Sequence, residues 1–374
     1  MNWDQSPLNG GCCKHLNPKP NCTEPPNEEV QWDLGDGNPD KFIRCNAARV
    51  MLKATNHRIP KDLTNDALAF VYGNSQGDPE FRENLAMFLS KEYGDTVNRD
   101  DLFLTVGTFH ALYILKGILF SKKAVIYVEE PTFYFAREVI PEIGYTVTAV
   151  PSNRDGIIVE ELDRLVQQDG EFKKTETQPY RAMVYLISVF NNPGGYCYSL
   201  GRCKELIKLA RRYDLLIFAD DVNSLLHYSG SAHAPKRLLA YDDKSDADYA
   251  DGNVVSNGSF SKIFAPSVRC GWLEAPRRLI DIFKNSVLCD GCGITCQYVS
   301  TILSSALALG LIKEHLDLSR REYGRKLKKT CQLLKDQLPK SAIFAEPQDI
   351  SEGGSISDTD DKDNSYLHTV LQQQ

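Results

Sequence analysis

Apolar and polar positions along this chain change period in a regular way. In "DPEFRENLAMFLSKEYG", Asp78 to Gly94, apolar residues recur at helical spacing, and from there short β-rich runs alternate with helical ones. The runs "DLFLTV", "KAVIYVE", "YTVTAVP", "RAMVYLIS", "LLIFADD" and "GNVVSNGSFS" predict strands, with helices over Thr108–Phe120, Thr132–Ile143 and Leu200–Tyr213 between them. After Trp272 the pattern is helical, through Arg277–Ser286 and one long run from about Thr295 to Leu338. Such alternation implies an α/β fold with a mostly parallel sheet and helices on both faces, because parallel neighbours need crossover connections. Ligands of these sheets bind at the carboxyl ends of strands.

The two ends read differently. Residues 1–29, with "NPKPNCTEPPNEE", are rich in Pro, Asn and Glu and are expected to form a flexible arm, while the acidic stretch 346–374 is expected to be disordered. With 50 acidic against 43 basic residues the net charge is −7, and no Lys/Arg block suggests a nucleic-acid partner. The opening residues lack a basic-then-apolar leader, and nowhere do eighteen apolar residues follow one another. The expectation is a soluble, cytoplasmic protein with no membrane partner. Eleven cysteines suit reduced thiols better than a disulfide framework. "CDGCGITC", with Cys289, Cys292 and Cys296, has ligand-like spacing but no fourth ligand clearly placed, so free thiols are expected and no metal.

Chemistry gathers at the predicted strand ends. "LTVGTFHAL" is a strand, a turn at Gly107 and a helix starting at Thr108, which serves as an ordinary helix start or as a phosphate site. "FADD" closes a buried run with Asp220 and Asp221, either capping a turn or holding a proton on a heterocyclic nitrogen. "NNPGG" is ordinary turn chemistry, or it aims the Asn192 amide into the same cleft. In "SNGSFSKIFAPSVRCGW", Lys262 stands among small residues, where desolvation lowers an amine's pKa and lets it form an imine with an aldehyde. Seven residues on, Arg269 offers a fork of donors suited to phosphate. Phosphate, aldehyde and ring nitrogen together describe pyridoxal 5′-phosphate.

These segments, in chain order, resemble the fold-type I pyridoxal-phosphate enzymes, specifically the class I/II aminotransferases, over roughly Val30 to Leu338. "SFSKIFAPSVRCGW" is similar to the family's lysine motif, "YGNSQGDPEFR" to its Tyr-Gly segment, "VEEPTFYFA" to its Glu-x-Pro-Thr-Tyr segment and "NNPGG" to its Asn-Pro-x-Gly. The resemblance implies a seven-stranded-type sheet in a large cofactor-binding domain at 30–285, with 30–60 partly in a small α/β domain that resumes at 286–345. It implies that Lys262 holds the cofactor and shuttles a proton, and that Asp220 keeps the pyridine nitrogen protonated. Phe133 would stack on the ring, and Asn192 would donate to the phenolic oxygen. Thr108, the Phe109 N–H, Ser259 and Arg269 would cradle the phosphate. Tyr72 would reach the cofactor of a partner subunit, implying a homodimer, and Gly37 would lie near the substrate carboxylate.

Two departures from the family pattern stand out. Asn223 occupies the position of a tyrosine that bonds the phenolic oxygen; an amide still donates, so Asn223 stays among the expected cofactor contacts. No arginine follows Arg325, and "SEGGSIS" echoes the Gly-Gly strand only faintly, so the small domain is expected to be incomplete. The implied activity is transamination between an amino acid and a 2-oxo acid, of aminoadipate or kynurenine type. A catalytically impaired pyridoxal-phosphate-binding protein, or a truncated isoform acting through dimerisation, is the alternative.

Overall fold

The computed structural model describes residues 37–120, 124–170, 172–175, 178–228, 234–249, 252–290 and 297–337. Helix α1 (Lys41–Leu63) starts at Asp40, whose side chain accepts the Ile43 N–H at 2.8 Å. Helix α2 (Pro79–Tyr93) is bounded by the Asp78 carboxylate, which accepts from Phe81 N at 2.7 Å, and by Gly94 at φ +65°. The cap and the left-handed glycine supply the start and stop that the apolar period alone leaves open.

Strands β1 (Leu102–Thr105), β2 (Val125–Glu130), β3 (Thr146–Asn153), β4 (Gly156–Ile157), β5 (Ala182–Leu186), β6 (Leu215–Asp220), β7 (Val254–Ser259) and β8 (Gly271–Glu274) form one sheet. Their order is β1-β8-β7-β6-β5-β2-β3-β4. The stretch β7-β6-β5-β2-β3 is parallel, whereas β8 is antiparallel to both β7 and β1. The strand ends of β1, β2, β5, β6 and β7 therefore open on one edge.

Crossovers run through α3 (Thr108–Leu119), α4 (Tyr134–Glu142), α5 (Val159–Gln168) and α6 (Leu200–Tyr213). Central strands are buried on both faces: in β6, Leu216 and Phe218 pack toward α3 and α4, while Leu215, Ile217 and Ala219 pack toward α5 and α6. This is why they read as unbroken apolar runs and not as alternating ones.

The segment after β7 holds α7 (Phe260–Ile263), and α8 (Arg277–Lys284), α9 (Val287–Asp290), α10 (Gln297–Ala308) and α11 (Leu311–Gln337) follow β8. The single long helical run expected from Thr295 to Leu338 is two helices bent by 78°, with Gly310 at φ +72° in the break. The apolar period continues across "ALALGLIKEH", so only the glycine marks the turn. Ile302, Leu303 and Ala306 of α10 and Ile312 and Leu316 of α11 share a core with Ile43, Val50 and Ala54 of α1 and with Phe260 and Trp272. Those last two flank Lys262, so these helices brace the lysine segment. Among the described residues no single helix is long and apolar enough to cross a membrane.

On α6, Arg212 is a solvated helix-face residue and Arg211 is not. Its guanidinium is buried against Asp242 at 2.7 Å, Asp246 at 2.9 Å and Asp248 at 2.5 Å, because the acidic loop after β6 folds back over α6.

Candidate active site

At the β1 end, Gly107 takes φ +117° and the chain turns directly into α3. No side chain caps this helix, so its first N–H groups and the positive end of its dipole face the sheet edge. Arg269, in the left-handed region at φ +46°, brings its guanidinium to the same place, donating to Val106 O at 3.0 Å and Pro266 O at 3.2 Å. A Cβ added to Gly107 would lie 2.7 Å from Arg269 Nη2. Glycine is thus what lets arginine and helix start converge, and the result is an anion cradle. Replacing Gly107 by alanine should cost about 1–3 kcal/mol from the strained φ alone. It should also displace Arg269, which phosphate affinity and a melting curve would both report.

Asp220 ends β6 and is buried. Tyr185 Oη donates to its Oδ2 at 2.8 Å, and Asn257 Nδ2 to its Oδ1 at 3.1 Å. Burial raises its pKa to about 6, opposed by those hydrogen bonds and by the charge of Lys262. The same Asn257 Nδ2 lies 2.9 Å from Thr108 Oγ1, so the carboxylate and the anion cradle are joined through one amide. Lys262, on the short helix after β7, donates from Nζ to Gly37 O at 3.3 Å. Lysine, carboxylate and cradle thus stand on one edge of the sheet.

The remaining expected residues divide. Phe133 packs against Phe109 with ring centroids 6.4 Å apart and planes 21° from parallel. Ser259 caps the lysine helix, accepting from Ser261 N at 3.1 Å. Asn192 and Asn223 follow the ends of β5 and β6 and are half-buried. Tyr72 is 96% exposed and joins nothing in this group within one chain. Of the cysteine cluster, Cys289 is buried, while Cys292 and Cys296 lie outside the described residues, as do the arm 1–29, the "SEGGSIS" stretch and the tail 346–374.

Asn257, Tyr185 and Glu129 were not expected. Glu129 is buried at the end of β2 and accepts from Ile187 N at 2.6 Å, Asn191 Nδ2 at 2.8 Å and Tyr198 Oη at 2.5 Å. It ties the turn that carries Asn192 to the sheet. On the opposite side of β6 from Asp220, Asp221 accepts from Ser256 Oγ at 2.5 Å, and Arg237 binds Ser256 and Glu274 while covering the Tyr93 ring at 3.9 Å. A polar residue inside an otherwise buried strand run, such as Asn257 in "VVSNGS", was the available signal.

Burial pushes Glu129 up to about 8, Asp221 to about 7 and Asp220 to about 6. Each folded value lies above the unfolded one, so the stability these groups contribute is full below about pH 4 and is lost as pH rises through the folded values. The melting temperature of the cofactor-free protein should therefore fall between about pH 5 and pH 8. Glu129→Gln should flatten the upper part of that slope, and an unchanged slope would contradict the assignment.

Residues 30–351 match the family described as aminotransferase class I and II. The chain is 28% identical over 286 residues to aromatic-amino-acid aminotransferase 1 of Thermococcus litoralis, covering 75% of this chain and 64% of that protein. It is 31% identical over 254 residues to the mitochondrial kynurenine/alpha-aminoadipate aminotransferase of Mus musculus, covering 66% of this chain and 57% of that protein. Among solved structures, the kynurenine aminotransferase of Pyrococcus horikoshii aligns with a TM-score of 0.66 at 23% identity, over 82% of this chain and 71% of that one, a likeness of fold. The chain spans 57% to 64% of the length of these two curated relatives.

Proposed function

Since the chain belongs to the class I and II aminotransferases, we propose that it is a pyridoxal-phosphate-dependent enzyme that moves an amino group between an amino acid and a 2-oxo acid. The observation that carries this reading is the link from the Gly107–Arg269 cradle through Thr108 and Asn257 to Asp220, with Lys262 on the same edge. The residues present fit the cofactor: a cradle of a helix start and an arginine for its phosphate, and a buried carboxylate for its ring nitrogen. When bound, the cofactor supplies an electron sink for a carbanion at the substrate Cα.

The chain's own residues do the rest. Lys262 would anchor the aldehyde carbon, and its Nζ is the base that moves the substrate's α-proton. Asp220, ionised at neutral pH, would hold the proton on the ring nitrogen, while Tyr185 and Asn257 keep its oxygens in place. Phe133 would cover the ring, and Asn192 and Asn223 would donate to the phenolic oxygen. Gly37, whose carbonyl already meets Lys262, would border the substrate carboxylate.

The named activities of the Thermococcus and mouse relatives favour aromatic, kynurenine or 2-aminoadipate donors. Mixing the cofactor-loaded protein with each and following absorbance is the test. Saturable conversion with at least one is expected. A loaded protein that converts none would instead support the second reading, a cofactor-binding protein with impaired turnover, which Asn223 in the place of a phenol favours.

The assembly proposed is a homodimer. Phe70, Val71 and Tyr72 are exposed together, and Phe70 packs on Tyr298 at 5.5 Å, an apolar patch that a second copy would cover. Sedimentation should give a dimer, and Phe70→Asp should shift it toward monomer. A monomer that binds cofactor tightly would contradict the shared site.

A further inference from the structure

Asn257 stands opposite Asp220 in the β6–β7 register and is fully buried. Its neighbours restrict how its amide can sit. At neutral pH Asp220 is ionised, because burial lifts it only to about 6, and a carboxylate only accepts. The atom 3.1 Å from Asp220 Oδ1 must therefore be the amide nitrogen, and the carbonyl oxygen must point elsewhere. The nitrogen carries two hydrogens. One goes to Asp220 and the other to Thr108 Oγ1, 2.9 Å away.

That second bond makes the Thr108 hydroxyl an acceptor on its inner side. Its single hydrogen is then left for an acceptor on the outer side, where the start of α3 and Arg269 gather positive potential. The arrangement carries a cost, since Asn257 Oδ1 is buried without a hydrogen-bond partner among the described residues. An apolar residue of the same size would avoid that cost, so a polar one here points to a role beyond packing.

From this geometry we infer that Asn257 is a positioning residue, which turns the Thr108 hydroxyl outward as a donor to the cofactor's phosphate while holding Asp220 as the acceptor for the ring nitrogen. The inference rests on the cofactor reading above and deepens it: one amide sets the hydrogen-bond polarity at both ends of the site.

The test compares affinity for pyridoxal 5′-phosphate with affinity for pyridoxal, which lacks the phosphate. Measured by equilibrium titration, the wild-type preference for the phosphorylated form should fall about tenfold in Asn257→Leu, the scale of one hydrogen bond to a charged group. Thr108→Val should cause a similar fall, and the double variant should fall no further than either single one. An unchanged preference in Asn257→Leu, or a second full loss on adding Thr108→Val, would overturn the inference. Asn257→Asp keeps the shape but lacks the amide hydrogens, so the same loss is expected there even where the leucine variant folds poorly, and an undiminished preference in it would also overturn the inference. A wild-type protein that binds neither compound would overturn the cofactor reading itself, and it would do so before any variant is made.

Discussion

Lys262→Ala is expected to lower turnover by on the order of a thousandfold or more, since on the proposed reading it removes both the anchor for the aldehyde and the base at the α-carbon. The side chain is half-buried on a one-turn helix whose start is fixed by Ser259 and whose flanks are held by Phe260 and Phe264 in the core. That setting keeps an amine in one place beside Asp220. Lys262→Arg should fare no better, because a guanidinium stays protonated at any working pH and cannot act as the base. Small amines added to the alanine variant should restore part of the rate, as the backbone and neighbours of the site remain. Steady-state rates, with circular dichroism to confirm folding, decide it; an alanine variant within tenfold of wild type would remove Lys262 from the chemistry.

Asp220→Asn is expected to lower turnover by about two to three orders of magnitude, the scale for removing one partner of a buried charge pair. The substitution keeps the shape, and Tyr185 Oη and Asn257 Nδ2 still find an oxygen for one of their bonds, so the fold should hold. The loss should be in kcat more than in KM, because the ring nitrogen's proton matters to the carbanion and not to substrate docking. A pH signature accompanies it. With the carboxyl at about 6 in the cofactor-free protein, cofactor affinity should weaken as pH falls through that value and Asp220 takes up a proton. In Asp220→Asn that dependence should vanish. A variant that keeps both the rate and the pH dependence would place the ring-nitrogen partner elsewhere.

What could be read from the sequence, and what could not, follows physical lines. Strands β2, β5, β6 and β7 announce themselves because burial on both faces makes them continuous apolar runs. Strand β8 is only "GWLE", and β4 only two residues, too short for any period to show. Helix α1 escaped because its buried face is built from small residues, Ala47, Val50 and Ala54, which leave a weak apolar stripe. Within the candidate site, local spacing singled out Lys262 and Arg269, and a strand-turn-helix junction singled out Gly107–Thr108. Asn257 and Tyr185 owe their roles to register across three strands, Asp220 pairing with Asn257 and Phe218 with Tyr185. Nothing local in the sequence reports such a register. Glu129 acts on a turn 62 residues away in sequence, through Asn191, for the same reason.

The most direct test of the central claim is covalent. The protein is incubated with pyridoxal 5′-phosphate at neutral pH, reduced with borohydride and mapped by peptide mass spectrometry. The structure predicts one pyridoxyl group, on the peptide that carries Lys262, and its disappearance in Lys262→Ala. A pyridoxyl group on any other lysine, or on none, would contradict the site.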